Sequence, residues 1–232
     1  MSAVTVPLTV RVTWQPCFRI IPSRFPPISL FERVAAPEDL DAIIALESMT
    51  NPRLRDEIGE IRLVPPEERI SGPGTSIVMA AFTHLNPEGS RFTDGSFGVF
   101  YAALDLETAM AETVYHAERF MRRTREPAQE LDRRVYLVDL DADLHDIRGG
   151  WPADPDVYDD VNYGAGQSLA RRLRSAGSHG IVYTSVRRVT GHCAAVFRPR
   201  ALGNCRQERH LCYVWDGARI REIYEKRTVA VL

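Results

Sequence analysis

"SRFTDGSFGVFYAALDLETAMAETVYH", Ser90–His116, carries a loop, a strand and a helix in one run. Gly95 and Gly98 punctuate the loop, where turns need backbone freedom. "FGVFYAA" (residues 97–103) then alternates. Val99, Tyr101 and Ala103 share one face of the predicted strand, and Phe100 and Ala102 share the other. Asp105 has the short carboxylate that accepts from the free N–H groups of a first helical turn, so a helix is predicted from there to about Arg122. Its apolar stripe is Leu106, Ala109, Met110, Thr113, Val114, Ala117 and Phe120. Glu112 and His116, four apart, are neighbours on the shoulder of that stripe. A helix built for burial alone would not put a carboxylate there.

Working outward, "MSAVTVPLTVRVTW" alternates as a strand does, within an arm bearing Pro7, Pro16, Pro22, Pro26 and Pro27. A helix is predicted from Pro37, where Leu40, Ile43, Ile44 and Leu46 recur at helical spacing, and a short one around Asn51 to Ile58. "LVPPEERISGPGTS" (residues 63–76) interrupts regular structure. Downstream, "RRVYLVDL" (133–140) reads as a strand, and "GQSLARRLRSAG" (166–177) as an amphipathic helix closed by glycine. "IVYTS" (181–185) and "CAAVF" (193–197) read as short strands, and residues 209–224 as a hairpin about Asp216-Gly217. Strands and helices interleave without a regular βαβ rhythm, so the predicted fold is a single compact α+β domain of small mixed sheets with flanking helices. Its segments are an N-terminal arm and first strand (1–36), a helical insertion (37–88), a core holding the candidate site (89–200) and a C-terminal extension with the hairpin (201–232).

Composition removes several function classes. The chain has 232 residues, 44% hydrophobic and 26% charged, the balance of an ordinary globular domain. A net charge of −2 gives no electrostatic case for direct nucleic-acid or membrane-surface binding. Basic runs such as "MRRTR" (121–125) fall in helical contexts and read as solvated faces. No run reaches the roughly 18 apolar residues of a membrane span, and the N-terminus lacks the pattern of a signal peptide. With four unpaired-looking cysteines, a reducing cytoplasm is the expected location. His192, Cys193, Cys205, His210 and Cys212 are zinc-ligand types close in sequence, but no close cysteine pair accompanies them, and no metal is expected. A dinucleotide-binding G-x-G-x-x-G is missing, and "GPGTS" (72–76) lacks the lysine of a phosphate-binding loop.

The residues with chemical promise are Arg91, Tyr101, Glu112 and Ser185. A guanidinium grips phosphate oxygens with a two-pronged fork. A tyrosine ring offers a stacking face to a cationic nicotinamide. Breaking the nicotinamide–ribose bond of NAD expels a neutral leaving group, so charge develops on the sugar, where a carboxylate stabilises it. A serine hydroxyl can hydrogen-bond the carboxamide or ribose, and His116 can orient the Glu112 carboxylate. Each residue also has a structural reading: Arg91 a loop cation, Tyr101 a core aromatic, Ser185 a strand terminus. A non-enzymatic module that holds a nucleotide or peptide in the same cleft is the remaining alternative.

"SRF…GVFYAALDLETAMAETVYH" with "YGAGQSLARRLRSAGSHGIVYTSVRRVTGHCAAVFRP" (163–199) resembles the RES-domain toxins of bacterial type II toxin–antitoxin modules, named for arginine, glutamate and serine. The likeness spans Phe18 to Pro199 and rests on Arg91, Tyr101, Glu112 and the "GIVYTSVR" strand carrying Ser185. "FRI" (18–20) resembles the family's opening strand and makes Arg19 a second candidate for phosphate contact. The insertion and the tail from Asn204 resemble the longer, ParT-like branch. The resemblance implies an ADP-ribosyltransferase fold of the diphtheria-toxin type, NAD as substrate, and NAD-site roles for Arg19, Arg91, Tyr101, Glu112, His116 and Ser185. It implies mono-ADP-ribosylation of a protein acceptor, phosphoribosyl pyrophosphate synthetase in the ParT-like branch, with NAD phosphorolysis or hydrolysis as the alternative. It also implies a cognate antitoxin with a helix-turn-helix DNA-binding part, whose C-terminal segment covers the NAD site, and a homodimer as an option within that complex. Arginine-modifying ADP-ribosyltransferases carry a second glutamate two residues before the catalytic one. Here that position is Met110, which disfavours guanidine acceptors.

Overall fold

One strand organises the sheet. In the computed structural model, which describes residues 5–23, 59–227 and 229–230, β3 runs over Gln129–Asp146. β1 (Thr9–Pro22) pairs antiparallel along nearly its whole length, from Arg133 to His145. On the opposite edge lie first β6 (Leu202–Trp215), antiparallel, and then β4 (Gly180–Thr184), parallel at His145 and Asp146. β5 (His192–Val196) and β2 (Phe100–Ala103) continue from β4, and Ala103 of β2 meets Phe18 of β1. The pairings β1–β2–β5–β4–β3–β1 therefore close on themselves, and β6 with β7 (Ile220–Lys226) extends outward. The α+β reading holds, and the strands form one mixed seven-stranded sheet rather than separate small ones. The length of β3 is the reason, since an 18-residue strand can serve three neighbours.

Period-two alternation sorts the core onto two faces. Phe100, Ala102, Val182, Ala194 and Val196 join one apolar cluster with Val78, Met79 and Phe82 of α1 (Thr75–Thr83). Val99, Ala103, Ile181, Tyr183, Cys193 and Ala195 join the other, covered by α2 (Leu106–Thr124) and α3 (Gly164–Ser175). Asp105 caps α2 as its chemistry requires, with Oδ1 accepting from the Thr108 N–H at 2.8 Å. Phe120, expected on the buried stripe, is 42% exposed and lines a cleft instead. Pro16, one of the prolines of the N-terminal arm, sits inside β1 where the register shifts between Trp14 and Cys17, the place a strand tolerates a residue without an N–H. β6 and β7 turn at Asp216-Gly217, where Asp216 Oδ1 accepts from Ala218 and Arg219, both at 2.8 Å. The helices expected from Pro37 and at 51–58 lie outside the described residues. No described helix is long and apolar enough to cross a membrane.

Candidate active site

A cleft of about 590 Å³, a size typical of small-molecule sites, opens between the end of β1, the loop before β2, β2 itself and α2. Arg19, Arg91, Tyr101, Glu112 and His116 all line it. Ser185 does not. It lies one residue beyond β4, buried behind Glu112.

Glu112 reaches the cleft because α2 lies across the sheet with Ala109 buried against it. Ser185 Oγ donates to Glu112 Oε1 at 2.6 Å and accepts from the backbone N–H groups of Arg187 (3.1 Å) and Arg188 (3.0 Å). One donor and two acceptor positions exhaust a hydroxyl. Contact with a ribose or carboxamide would cost Ser185 one of these bonds, so in this geometry it aims the carboxylate. The turn after it is strapped to the start of α2 by Arg188, whose Nη1 donates to Asp105 Oδ1 (3.0 Å) and Thr108 Oγ1 (3.1 Å). Gly191 closes the same turn, and a Cβ there would come within 2.2 Å of Thr108 Oγ1. Beside the carboxylate, burial and then Glu112 push the Cys193 thiol well up, so it stays protonated.

Arg91 and Tyr101 are fixed by their neighbours. Arg91 Nη1 donates to the carbonyls of Val157 (2.9 Å) and Asp159 (2.8 Å), and its guanidinium lies 4.9 Å from the Tyr163 ring centre. Both protons of that nitrogen are spent, which leaves the remaining N–H groups for the cleft. α3 packs directly on this loop: a Cβ at Gly166 would stand 2.5 Å from the Arg91 carbonyl oxygen. The Tyr101 hydroxyl accepts from the Phe92 N–H at 2.9 Å and shares a 2.7 Å hydrogen bond with Ser90 Oγ. Burial raises its pKa to about 12, so it remains a phenol. Tyr101 thus pins the Ser90–Phe92 loop while its ring walls the cleft. Tyr101→Phe keeps the ring but leaves the Phe92 N–H without its partner, at an expected cost of about 1–3 kcal/mol. Urea denaturation checks this, and an unchanged midpoint would mean that the N–H finds another acceptor.

Arg19 borders the cleft from β1, but its guanidinium lies toward the Phe100 face, 4.3 Å from that ring centre, with Nη1 donating to the Tyr101 carbonyl at 3.0 Å. Among the described residues its Nε is buried without a hydrogen-bond partner, and burial lowers its pKa to about 10, which leaves it charged at neutral pH. His116 stands at the cleft mouth. Surrounding protein, then Arg187, Arg119 and Arg91, hold its pKa near 4. Burial comes first and the three cations add to it, so the imidazole is neutral at pH 7. Among the described residues no hydrogen bond joins His116 to Glu112; Ser185 does the orienting that the helical spacing suggested for His116.

The cleft also contains residues not singled out from the sequence: Arg119, Phe120 and Arg123 of α2, Ser90 and Glu88 of the loop, and Tyr163. The α2 residues were readable, since 112, 116, 119 and 123 recur at helical spacing on one face. Tyr163 carried no local signal. The zinc-type residues do not assemble: Cys205 and Cys193 belong to opposite core clusters. Among the described residues the one grouping of ligand types is Glu130, Asp132 and Cys212, and Lys226 Nζ already occupies it, at 3.0 Å from Glu130 and 2.6 Å from Asp132.

The chain is 33% identical over 209 residues to the uncharacterised protein y4oC of Sinorhizobium fredii, a match covering 89% of this chain and 86% of that one. A solved structure, the MbcT-MbcA toxin-antitoxin complex of M. tuberculosis, aligns with a TM-score of 0.45 at 13% identity, covering 94% of this chain and 86% of its own. Residues 66–216 match the RES domain, a stretch that holds Arg91, Tyr101, Glu112 and Ser185 and leaves Arg19 outside. With that match over most of its length, the chain belongs to the RES-domain family.

Proposed function

We propose that this protein is the toxin of a bacterial toxin–antitoxin module and acts on NAD in the cytoplasm, cleaving the nicotinamide–ribose bond and transferring ADP-ribose to a protein. The observation that carries the reading is Glu112: a carboxylate held by Ser185 at 2.6 Å in the wall of a cleft otherwise rich in guanidinium groups. Its charge is placed to stabilise the oxocarbenium-like sugar as the bond to nicotinamide opens. The leaving group departs neutral, which fits a cleft whose histidine is unprotonated at pH 7. Arg91 and Arg19 supply positive charge for the phosphates, and the Tyr101 ring is a stacking face for nicotinamide. NAD is consumed as substrate, and no metal is needed for this chemistry. By family resemblance the acceptor is phosphoribosyl pyrophosphate synthetase, and a cognate antitoxin with a helix-turn-helix part would cover the cleft.

A second reading is phosphorolysis or hydrolysis of NAD. Met110, two residues before Glu112 where arginine-modifying transferases carry a glutamate, disfavours a guanidine acceptor and leaves lysine, serine, water or phosphate as acceptors. Nicotinamide release by the purified protein separates these readings. Release only with the acceptor protein supports transfer, release dependent on phosphate supports phosphorolysis, and release in plain buffer supports hydrolysis. Binding of NAD with no release under any of these conditions would leave a binding module and overturn the proposal.

A further inference from the structure

Four arginines border the cleft, Arg19, Arg91, Arg119 and Arg123, against two acids, Glu88 and Glu112. Three of the four are already engaged. Arg91 is held by the Val157 and Asp159 carbonyls, Arg19 by the Tyr101 carbonyl, and Arg123 by Glu88 at 2.6 Å. Arg119 is different. It is exposed at the cleft, 6.0 Å from the Tyr163 ring centre, and among the described residues it has no hydrogen-bond or ion-pair partner. It stands two turns beyond Glu112 on the same face of α2, about 10 Å along the helix axis. The next residue, Phe120, is an aromatic ring left 42% exposed in the same cleft. A carboxylate and a cation without an ion-pair partner among the described residues therefore follow one another along one helix face, with an open aromatic beside the cation in the same cleft.

That order matches the chemistry of a dinucleotide read from its scissile bond: a sugar that becomes cationic, a diphosphate with two negative charges, and a purine. We infer that the dinucleotide lies along α2, with Arg119 gripping its diphosphate and Phe120 offering a face to its adenine. This rests on the proposed action on NAD, and it moves the main diphosphate contact from Arg91 and Arg19 to a residue outside the arginine–glutamate–serine set. Arg91 and Arg19 then shape the nicotinamide end, where their backbone anchors hold them. A grip made equally in the ground and transition states affects KM and leaves kcat, unlike a change at Glu112.

The test uses the full chain, with calorimetry of ADP and of inorganic pyrophosphate beside steady-state nicotinamide release. Arg119→Gln should weaken both ligands and raise KM for NAD on the order of 10- to 100-fold with kcat retained, as loss of a charge-assisted contact requires. Arg119→Lys should restore part of the affinity. Phe120→Ala should weaken ADP and leave pyrophosphate unchanged. Arg122→Gln, the same charge change beside Glu118 and away from the cleft, should behave as wild type. Wild-type turnover with Arg119→Gln unaltered in KM and ADP binding would overturn the inference and leave the proposed function standing. ADP binding that depends on Arg119 in a protein that releases no nicotinamide would do the reverse. Equal weakening by Arg122→Gln would reduce the effect to net charge and also overturn it.

Discussion

Glu112→Gln is expected to lower nicotinamide release from NAD by on the order of 10²- to 10³-fold or more, with the fold unchanged. The substitution is chosen because it keeps shape. A glutamine carbonyl can still accept from Ser185 Oγ, so the 2.6 Å contact and the turn behind it survive. What disappears is the negative charge that the proposed reaction sets against the sugar. A cleft that keeps its geometry and loses its rate identifies charge stabilisation as the cause, since loss of an electrostatic group that acts in the transition state lowers kcat. ADP binding, measured in parallel, should stay near the wild-type value, because the lesion is at the other end of the ligand. Undiminished release would mean that Glu112 is only a structural partner of Ser185, and the reading of this cleft as a glycosidic-bond-breaking site would fall.

Phe92→Ala should cost about 3–5 kcal/mol of stability, the range for emptying an aromatic from a packed core. Phe92 has no exposed surface, meets the Tyr183 ring edge-on at 4.9 Å, and gives its N–H to the Tyr101 hydroxyl. It is the apolar anchor of the loop that carries Arg91, wedged where α3 and the sheet meet. Truncation opens a void under that loop, and the melting temperature should fall by roughly 6–20 °C, as the loss scales for a domain of this length. Phe92→Leu refills part of the space and should recover part of the loss. If calorimetry found Phe92→Ala as stable as the parent, the loop would not be anchored from within, and the fixed placement of Arg91 would need another cause.

Much of the architecture is legible in local chemistry. The alternation of residues 99–103 sorts them onto the two faces they occupy in the core clusters, because a strand's side chains point to opposite sides at every step. Asp105 marks the start of α2 because a carboxylate satisfies first-turn N–H groups. Gly217 marks the hairpin turn, where φ is +98°, a conformation glycine reaches without strain. Glu112 was visible as an acid on an apolar shoulder, and Arg119 and Arg123 could have been read from the same helical spacing.

The site's detailed assignments were not legible, and their partners show why. Ser185 and Glu112 are 73 residues apart, Arg91 and the Val157 carbonyl 66, and Arg19 and the Tyr101 carbonyl 82. Helical and strand periods act over a few residues, so the sequence alone determined which segments become strands and helices, which faces they bury and which residue types stand ready for NAD chemistry. The packing of α2 and α3 on one face of a sheet closed by β3 decided that Ser185 aims Glu112, that backbone carbonyls hold Arg91, and that Arg119 has no hydrogen-bond or ion-pair partner among the described residues. A hydrogen bond between distant residues depends on where whole elements come to rest, and that is set by the burial of their apolar faces together.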